Sequence, residues 1–290
     1  MANSFELPKN YVDLLDEVYK KASVTADLIG DPAMVRAGVN VNEICYPQLG
    51  VTGLGDYDRN SGYTDGSVSL VWKTVEYNYD RGTKISVDAM DNQESFNLAF
   101  GKAGSELIRT KVAPEADAFT FAKLAGLSGI SKATAATYSN IADFLAALIT
   151  AKNKMDEDEV PEEERYLYAT PTLLNGVMAL DTTKSREVLA TFAGTKKVPQ
   201  SRFYTAIDML DGKSEDEEAG HYQKATAGKD INFMIIHKPA IIKYDKHIAN
   251  NIIAPENNPN SDSYILKYRK YGLVDAYENK RAGIYLSHKA

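Results

Sequence analysis

Residues 42–79 read NEICYPQLGVTGLGDYDRNSGYTDGSVSLVWKTVEYNY, and this stretch decides the fold. Strand-forming residues in 43–46 and the alternation of apolar and polar residues within 67–79 predict two β-strands. The segment between them, residues 52–66, has four glycines and almost nothing that a core could bury. The sequence therefore predicts a long hairpin with a polar, exposed tip.

A two-stranded ribbon is marginally stable alone in water and needs another surface to lie on. The rest of the sequence offers few obvious candidates for that surface, so we expect the hairpin to lie on a neighbouring copy of the chain. Trp72 is expected to pack beneath the hairpin. The predicted interface side chains are Asp56, Tyr57, Asp58, Arg59, Tyr63 and Trp72. This pattern favours an assembly protein over an enzyme.

Length and composition indicate an ordinary soluble globular protein with one large or two smaller domains. The chain has 290 residues, of which 44% are hydrophobic and 25% are charged. Its longest apolar runs, 144–149 and 233–236, are far too short to span a bilayer, and its start does not look like a signal peptide. Cys45 is the single cysteine, which excludes an intrachain disulfide and fits a reducing cytoplasm.

The net charge of −7 argues against a dedicated nucleic-acid binder, which needs clustered Lys and Arg. The charge is unevenly distributed. Residues 237–290 carry nine basic and five acidic side chains, a net of +4, which leaves −11 for residues 1–236. This asymmetry either serves complementary contacts between copies or reflects solvated faces, and the sequence leaves both open.

A long amphipathic helix is predicted after the hairpin. A turn at 80–83 and a short strand at 84–88 precede it, and Asp91 is the expected N-cap, with Glu94 completing a capping-box pattern. The apolar positions from Phe96 onward follow helical spacing. Pro114 should kink or interrupt this helix, and the glycine-containing stretch 126–129 should end it. Another short amphipathic helix is expected at 10–22.

The second half of the chain, from about Ser131, predicts a mixture of helices and strands. A helix is expected to start after Ser139 or Asn140, and another at Thr170–Pro171, where a cap is followed by proline. The predicted strands are 165–169, 203–206, 231–237, 265–269 and 282–287.

The hairpin tip is the nearest approach to a metal-binding motif. Asp56, Asp58 and Asn60 occupy positions one, three and five of an EF-hand loop. However, Ser61 stands where the loop needs glycine, and Ser67 stands where it needs a bidentate glutamate. The sequence therefore predicts a polar loop tip and no metal site.

Catalytic and cofactor motifs are absent from the sequence. It contains no HExxH, Walker A or GxSxG pattern, so we predict no catalytic residue, no cofactor and no enzymatic activity. One rival remains, a cytoplasmic α+β enzyme whose site is assembled from distant residues around His237 and Asp245.

Six stretches resemble a known family in their order and spacing. They are 53–59 (GLGDYDR), 72–91, 112–117 (VAPEAD), 163–171 (EERYLYATP), 202–207 (RFYTAI) and 235–240 (IIHKPA). Together they resemble the major capsid proteins of tailed bacteriophages, whose fold is shared with encapsulin shells. The resemblance covers nearly the whole chain.

This resemblance implies an α+β phage major capsid protein fold. Its parts would be an N-terminal arm at 1–41, an extended loop hairpin at 42–90, and a peripheral domain with a long spine helix at 91–130. An axial domain at 131–255 and a C-terminal return to the peripheral domain at 256–290 would follow.

The resemblance also implies a structural function. Copies of the chain would form the pentamers and hexamers of an icosahedral virion head, assembled in the host cytoplasm, around double-stranded DNA held without sequence-specific binding. A separate scaffolding protein, a portal and head-completion proteins would be partners, with no membrane involved. The same-fold alternative is an encapsulin-type compartment.

Some members of the family join subunits by a Lys–Asn isopeptide bond. Lys73 or Lys84 and Asn257, Asn258 or Asn260 are the possible partners here. No motif singles them out, so we predict non-covalent contacts.

Overall fold

The computed structural model describes residues 23–30, 36–37, 42–60, 62–94, 98–180, 182–214, 217 and 220–290. The helix expected at 10–22, most of the arm and Phe96 lie outside these residues. The strands are β1 (Arg36–Ala37), β2 (Glu43–Val51), β3 (Val68–Glu76), β4 (Tyr79–Asp88), β5 (Ser131–Lys132), β6 (Arg165–Ala169), β7 (Gly194–Lys197), β8 (Ile207–Met209), β9 (Tyr222–Lys224), β10 (Ile231–His237), β11 (Ile241–Ile253), β12 (Ser263–Ala276) and β13 (Ile284–His288). The helices are α1 (Ala89–Glu94), α2 (Leu98–Leu107), α3 (Ala113–Ala125), α4 (Ile141–Glu157), α5 (Pro171–Leu180) and α6 (Thr183–Ala190).

A five-stranded sheet in the order β5-β13-β10-β6-β7 forms the largest core. Strand β10 lies in its centre and is buried at every position, because apolar clusters cover both of its faces. On one face Met234 and Ile236 pack with Phe121 of α3. On the other, Phe233 packs against Phe144 of α4, with ring centroids 5.6 Å apart.

A second sheet, β11-β12-β4, is antiparallel; α3 packs on β12, and Gly104 of α2 lies against Leu266 of the same strand. Strand β4 runs unbroken beside β12, from Tyr79 opposite Gly272 to Asp88 opposite Ser263. The predicted turn at 80–83 is therefore wrong. Gly82 allows a close approach instead, since a Cβ there would lie 2.8 Å from the carbonyl oxygen of Tyr268.

The helix after β4 begins earlier than predicted. It starts at Ala89, and the Asp88 carboxylate accepts a hydrogen bond from the Met90 amide at 2.9 Å. The assignment of Asp91 as N-cap is therefore wrong, because Asp91 already lies in the first turn of α1. The interruption expected near Pro114 is confirmed, since a π-helical turn at Ile108–Val112 separates α2 from α3. Helix α3 ends at Ala125, followed by Gly126, as predicted.

Most predictions for the second half are confirmed. The Asn140 carboxamide caps α4 by accepting a hydrogen bond from the Ala142 amide at 3.1 Å, and α5 begins at Pro171. Strands β6 and β10 have the predicted bounds, 265–269 lies within the longer β12, and β13 begins two residues later than expected. The strand predicted at 203–206 is wrong, because that segment contributes only an isolated bridge between Tyr204 and Asp230, and the strand starts at Ile207.

The C-terminal part of the chain contributes to both large sheets. β11 pairs with β12, and β12 also pairs with β4, whereas β13 pairs with β10. The chain therefore leaves the five-stranded sheet after β10 and returns to it with β13. The domain boundaries named above stay predictions.

The root of the arm is fixed by a buried polar cluster. The carboxylate of Asp117 on α3, fully buried, accepts hydrogen bonds from the Ser23 and Thr25 hydroxyls, from the Val24 and Thr25 amides and from Arg202, at 2.7–3.2 Å. The Lys243 ammonium group donates to the carbonyl and the hydroxyl oxygen of Thr25 at 3.0 and 2.6 Å. Two separate parts of the chain, α3 and β11, thus bind residues 23–25 directly, and Arg202 pairs with the Asp117 carboxylate that they share.

Candidate subunit interface on the hairpin

The base of the β2–β3 hairpin is anchored on its own subunit. The two strands pair from Glu43 opposite Glu76 to Val51 opposite Val68. Ile44 and Tyr46 are buried against Ile242 and Leu273 of the β11-β12-β4 sheet. The expectation that the chain offers the hairpin no surface is therefore wrong for its base, where distant strands supply one.

Polar contacts extend this anchor by a few residues. The Gln48 carboxamide donates to Asn279 at 2.6 Å, and Lys73 forms an ion pair with Glu278 at 3.0 Å. The Tyr46 and Tyr277 rings meet edge to face with centroids 4.9 Å apart, and burial raises the pKa of Tyr46. The hairpin thus leaves the body in a defined direction, while its outer half has no comparable support.

The outer half of the hairpin carries a contiguous apolar face. Residues directly opposite each other in an antiparallel pair share a face, and successive residues alternate between faces. The face that points away from the Ile44–Tyr46 anchor carries Pro47, Leu49, Val51, Val68, Leu70 and Trp72. Pro47 is exposed, and the other side chains are 50 to 68% exposed. We call this set the apolar face.

The prediction that Trp72 packs beneath the hairpin is therefore wrong. Its side chain lies half-exposed on the apolar face. Contiguous apolar surface of this kind is uncommon on monomers and marks an interaction site. Of the residues on the apolar face, only Trp72 was among the interface residues predicted from the sequence. The alternation of Val68, Leu70 and Trp72 with their neighbours, read together with Leu49 and Val51, was the signal that could have identified the whole face.

The structure places the other five predicted interface residues together at the hairpin tip. Tyr57 and Tyr63 are largely exposed, and their rings contact each other at a centroid distance of 4.9 Å. Asp58 and Gly62 form a bridge through mutual backbone hydrogen bonds of 3.1 and 2.7 Å. Gly62 has φ +83°, which glycine adopts without strain. Asp56 and Arg59 complete this exposed tip, whose contact with another copy stays a prediction.

One acidic residue of the tip, Asp58, stabilises its local geometry. The Asp58 carboxylate accepts a hydrogen bond from the Asn60 amide at 2.7 Å, as in an Asx turn. Over the part of the chain that the structure describes, no group of three or more His, Cys, Asp or Glu is arranged to hold a metal ion. Likewise, none of the described helices is both long and apolar enough to cross a bilayer.

The residues named for the enzyme alternative line different clefts. His237, at the end of β10, borders a cleft with Glu163 and Glu164, and burial lowers its pKa. Asp245 lines a cleft beside Tyr79 and forms an ion pair with Lys270 at 3.0 Å. Neither of these two clefts is lined by both side chains.

Comparison with known proteins identifies the fold. No family model and no curated protein matches the sequence. The chain is similar to a solved structure of the mature capsid of bacteriophage PhiM1, with a TM-score of 0.63 at 14% identity over 98% of this chain and 92% of that chain. It is also similar to the capsid structure of cyanophage P-SCSP1u, with a TM-score of 0.59 at 13% identity over 98% and 93%.

A virus-like particle from Pyrococcus furiosus matches over 83% of this chain and 86% of that chain, with a TM-score of 0.53 at 9% identity. These matches are to capsid and virus-like-particle structures, and they identify the fold of the chain. The chain has the α+β fold of phage major capsid proteins over nearly its whole length, as the resemblance in sequence implied.

Proposed function

We propose that this chain is the major capsid protein of a tailed bacteriophage. Copies of it form pentamers and hexamers, which close an icosahedral head around double-stranded DNA. The similarity to phage capsids over 98% of the chain supports this proposal. A separate scaffolding protein, a portal and head-completion proteins would complete the assembly in the host cytoplasm.

The apolar face is the observation that carries the proposal. It belongs to a hairpin whose base is held by Ile44, Tyr46 and Lys73, so the face projects from the subunit in a fixed direction. Burying exposed apolar surface is favourable by roughly 25 cal/mol per Å². A second copy that covers this face would gain that free energy without first ordering the hairpin.

The hairpin and the surface that receives it are different parts of the same chain. A contact of this kind is head-to-tail, and it closes into rings when the rotation between copies permits. Because each of these partly polar contacts is weak, wrongly placed subunits could dissociate before the shell closes. In the closed shell, the many contacts together would give a stable particle.

We further propose that these contacts are non-covalent. Lys73, one candidate for an isopeptide bond, is engaged by Glu278 of its own chain, and Asn258 donates hydrogen bonds to Ser261 and Ser263. Assembled particles should therefore give a single 31.9 kDa band in denaturing electrophoresis. A ladder of covalent multimers would contradict this.

The test of the proposed function is assembly of the full chain, alone and with a scaffolding protein, compared with a variant lacking residues 53–66. We expect shells from the full chain by electron microscopy and sedimentation, and folded but unassembled subunits from the deletion variant. Circular dichroism checks that the variant keeps its fold. Shells of normal size from the deletion variant would contradict the role given to the hairpin.

The encapsulin-type compartment is the alternative that the Pyrococcus virus-like particle favours. The two proposals differ in what the particle contains. A phage head would package double-stranded DNA, whereas a compartment would hold a cargo protein. Extraction of purified particles from the native source, followed by assay for nucleic acid and for a second protein, separates them. Tight, salt-sensitive binding of DNA by isolated subunits would count against a non-specific container.

A further inference from the structure

Two lysines stand directly opposite each other in the β11-β12-β4 sheet. The register of β4 and β12 places Lys84 opposite Lys267, and both side chains are exposed. Like charges in this position destabilise a sheet. Neither ammonium group has an ion-pair partner among the described residues. The neighbouring Arg269, by contrast, is held by both oxygens of Asp80 at 2.9 and 2.7 Å.

Positive charge continues beside this pair. Lys84 lines an open cleft together with Arg81 and the exposed Lys111 and Lys213, against the two acidic residues Glu115 and Asp211. The isolated subunit thus maintains a local excess of positive charge although its net charge is −7. An unfavourable pair of this kind is relieved when an anionic partner binds across it.

The hairpin tip has the complementary charge. Residues 52–66 contain three aspartates and one arginine, a net of −2. Asp56 and Asp65 are exposed, and their carboxylates have no partner among the described residues. The tip is also preorganised, since Thr52 and Ser67 close it with hydrogen bonds of 2.8 to 3.2 Å.

The tip and the lysine pair lie in opposite directions within one subunit. As β2 advances, its contacts move along the body from Tyr271 with Asn42, to Tyr277 with Tyr46, and then to Asn279 with Gln48. The tip therefore projects beyond the C-terminal end of β12. Lys267 lies towards the other end of that strand, which begins at Ser263.

The lysine pair nevertheless shares a face with the seat of the hairpin. Lys267 and Leu273 are an even number of positions apart in β12, so both side chains lie on one face of the sheet, and Leu273 packs against Ile44 and Tyr46. A second hairpin arriving on this face could reach Lys84 and Lys267, whereas the hairpin of the same subunit points away from them.

We infer that Lys84 and Lys267 receive the acidic hairpin tip of a second copy, with Asp56 and Asp65 as the carboxylates that they bind. The inference rests on the proposed function, because it needs copies arranged head to tail. Burial of the apolar face provides the favourable free energy of the contact between copies. The opposite charges select the register of this contact and speed its formation. Salt screens exposed charges of this kind, so the rate of assembly should fall as ionic strength rises.

Charge reversal tests this inference on the full chain. The variants K84E/K267E and D56K/D65K should each lose shell assembly, and the variant that combines all four changes should regain it, because the charges at the contact are exchanged rather than removed. Light scattering gives the rate of assembly, and electron microscopy shows the product. The matched control K184E/K229E, at two exposed lysines outside this cleft, changes the net charge equally and should assemble as the unmodified chain does.

A neutral variant separates the interface from folding. K84Q/K267Q removes the repulsion within the sheet, so the isolated subunit should resist denaturant at least as well as the unmodified chain. Its assembly should still be slowed at low salt, and its rate should depend less on ionic strength. A subunit destabilised by this change would overturn the inference, since the lysines would then serve the fold.

The outcomes distinguish this inference from the proposed function. If the unmodified chain forms no shells under any condition, both fail. If it forms shells and K84E/K267E assembles equally well, or if the fourfold variant stays unassembled, only the inference fails. If K184E/K229E is impaired as strongly, overall charge controls assembly and the inference fails. Normal shells of K84E/K267E with reduced DNA content would assign the lysines to the packaged DNA and would also overturn it.

Discussion

Asp117 is the residue on which the attachment of the arm depends. Its buried carboxylate accepts hydrogen bonds from residues 23–25 and pairs with Arg202 at 2.9 Å. Such a group could not be recognised from the sequence, where it appears as one polar residue of the VAPEAD stretch on a helix. Only the fold brings Ser23, Arg202 and Asp117 together.

Replacement of Asp117 by alanine should destabilise the subunit strongly. It removes the buried carboxylate that pairs with the Arg202 guanidinium and that accepts hydrogen bonds from residues 23–25, and breaking a buried pair typically costs about 3–5 kcal/mol. Chemical denaturation of the unassembled subunit measures this loss. The control D208A, an exposed carboxylate on β8, should change the free energy of unfolding by less than about 0.5 kcal/mol. Equal effects of the two changes would refute the role of Asp117.

Lys243 should make the subunit more stable as pH rises. Burial lowers the pKa of its ammonium group from 10.5 to about 8, although Asp117 acts in the opposite direction. Between these two values the unfolded chain holds a proton that the folded chain has released. The free energy of unfolding therefore increases with pH in this window. Below about pH 8 both states hold the proton, and this increase is absent.

The measurement is the difference in unfolding free energy between the unmodified chain and K243M from pH 7 to about pH 10. The unmodified chain should gain stability relative to K243M above pH 8. The comparison removes the contributions of other groups, such as the buried Tyr79, whose pKa is raised by burial and then by Glu115. Parallel pH curves for the two proteins would show that Lys243 titrates normally.

At the scale of elements, the hairpin combines an anchored base and an unsupported outer half. The strands themselves could be predicted from their alternation. Their anchor could not, because Ile242 and Leu273 come about 200 residues after Ile44 in the chain. The alternation in each strand indicated half of the apolar face, and the register joins the two halves by pairing Leu49 with Leu70 and Val51 with Val68.

Two neighbouring side chains on β3 provide a matched test of the apolar face. Leu70 is 56% exposed on the apolar face, and Val71 is 50% exposed on the opposite face. L70S should therefore impair assembly, while V71S should have a much smaller effect. Both should leave the stability of the unassembled subunit within about 0.5 kcal/mol, because neither side chain is buried there. Sedimentation of both variants gives the assembled fractions, and equal impairment would contradict the assignment of the face.

Other elements show where periodicity misleads. β11 was missed because its first residues are buried on both faces and its later residues are mostly exposed, with a bulge between Asp245 and His247. Gly82 suggested a turn but marks a close approach between β4 and β12. In each case the partner strand, which is remote in sequence, determines the local structure.

At the scale of the whole molecule, the order of short stretches predicted the fold although each stretch alone was weak. The arrangement of the C-terminal part was less accessible. β12 and β13 belong to different sheets, and this assignment depends on pairing with β4 and β10, which lie far away in the chain. Local sequence therefore indicated the elements and the fold class, but it did not indicate to which of the two sheets β12 and β13 belong.

The most direct test of the account is a cryo-electron microscopy reconstruction of particles assembled from the full chain. The account predicts a closed shell in which the hairpin of each subunit lies across an adjacent subunit, with Leu49, Leu70 and Trp72 covered. A chain that stays monomeric under all assembly conditions would contradict the account. A shell whose hairpins contact only their own subunits would contradict it equally.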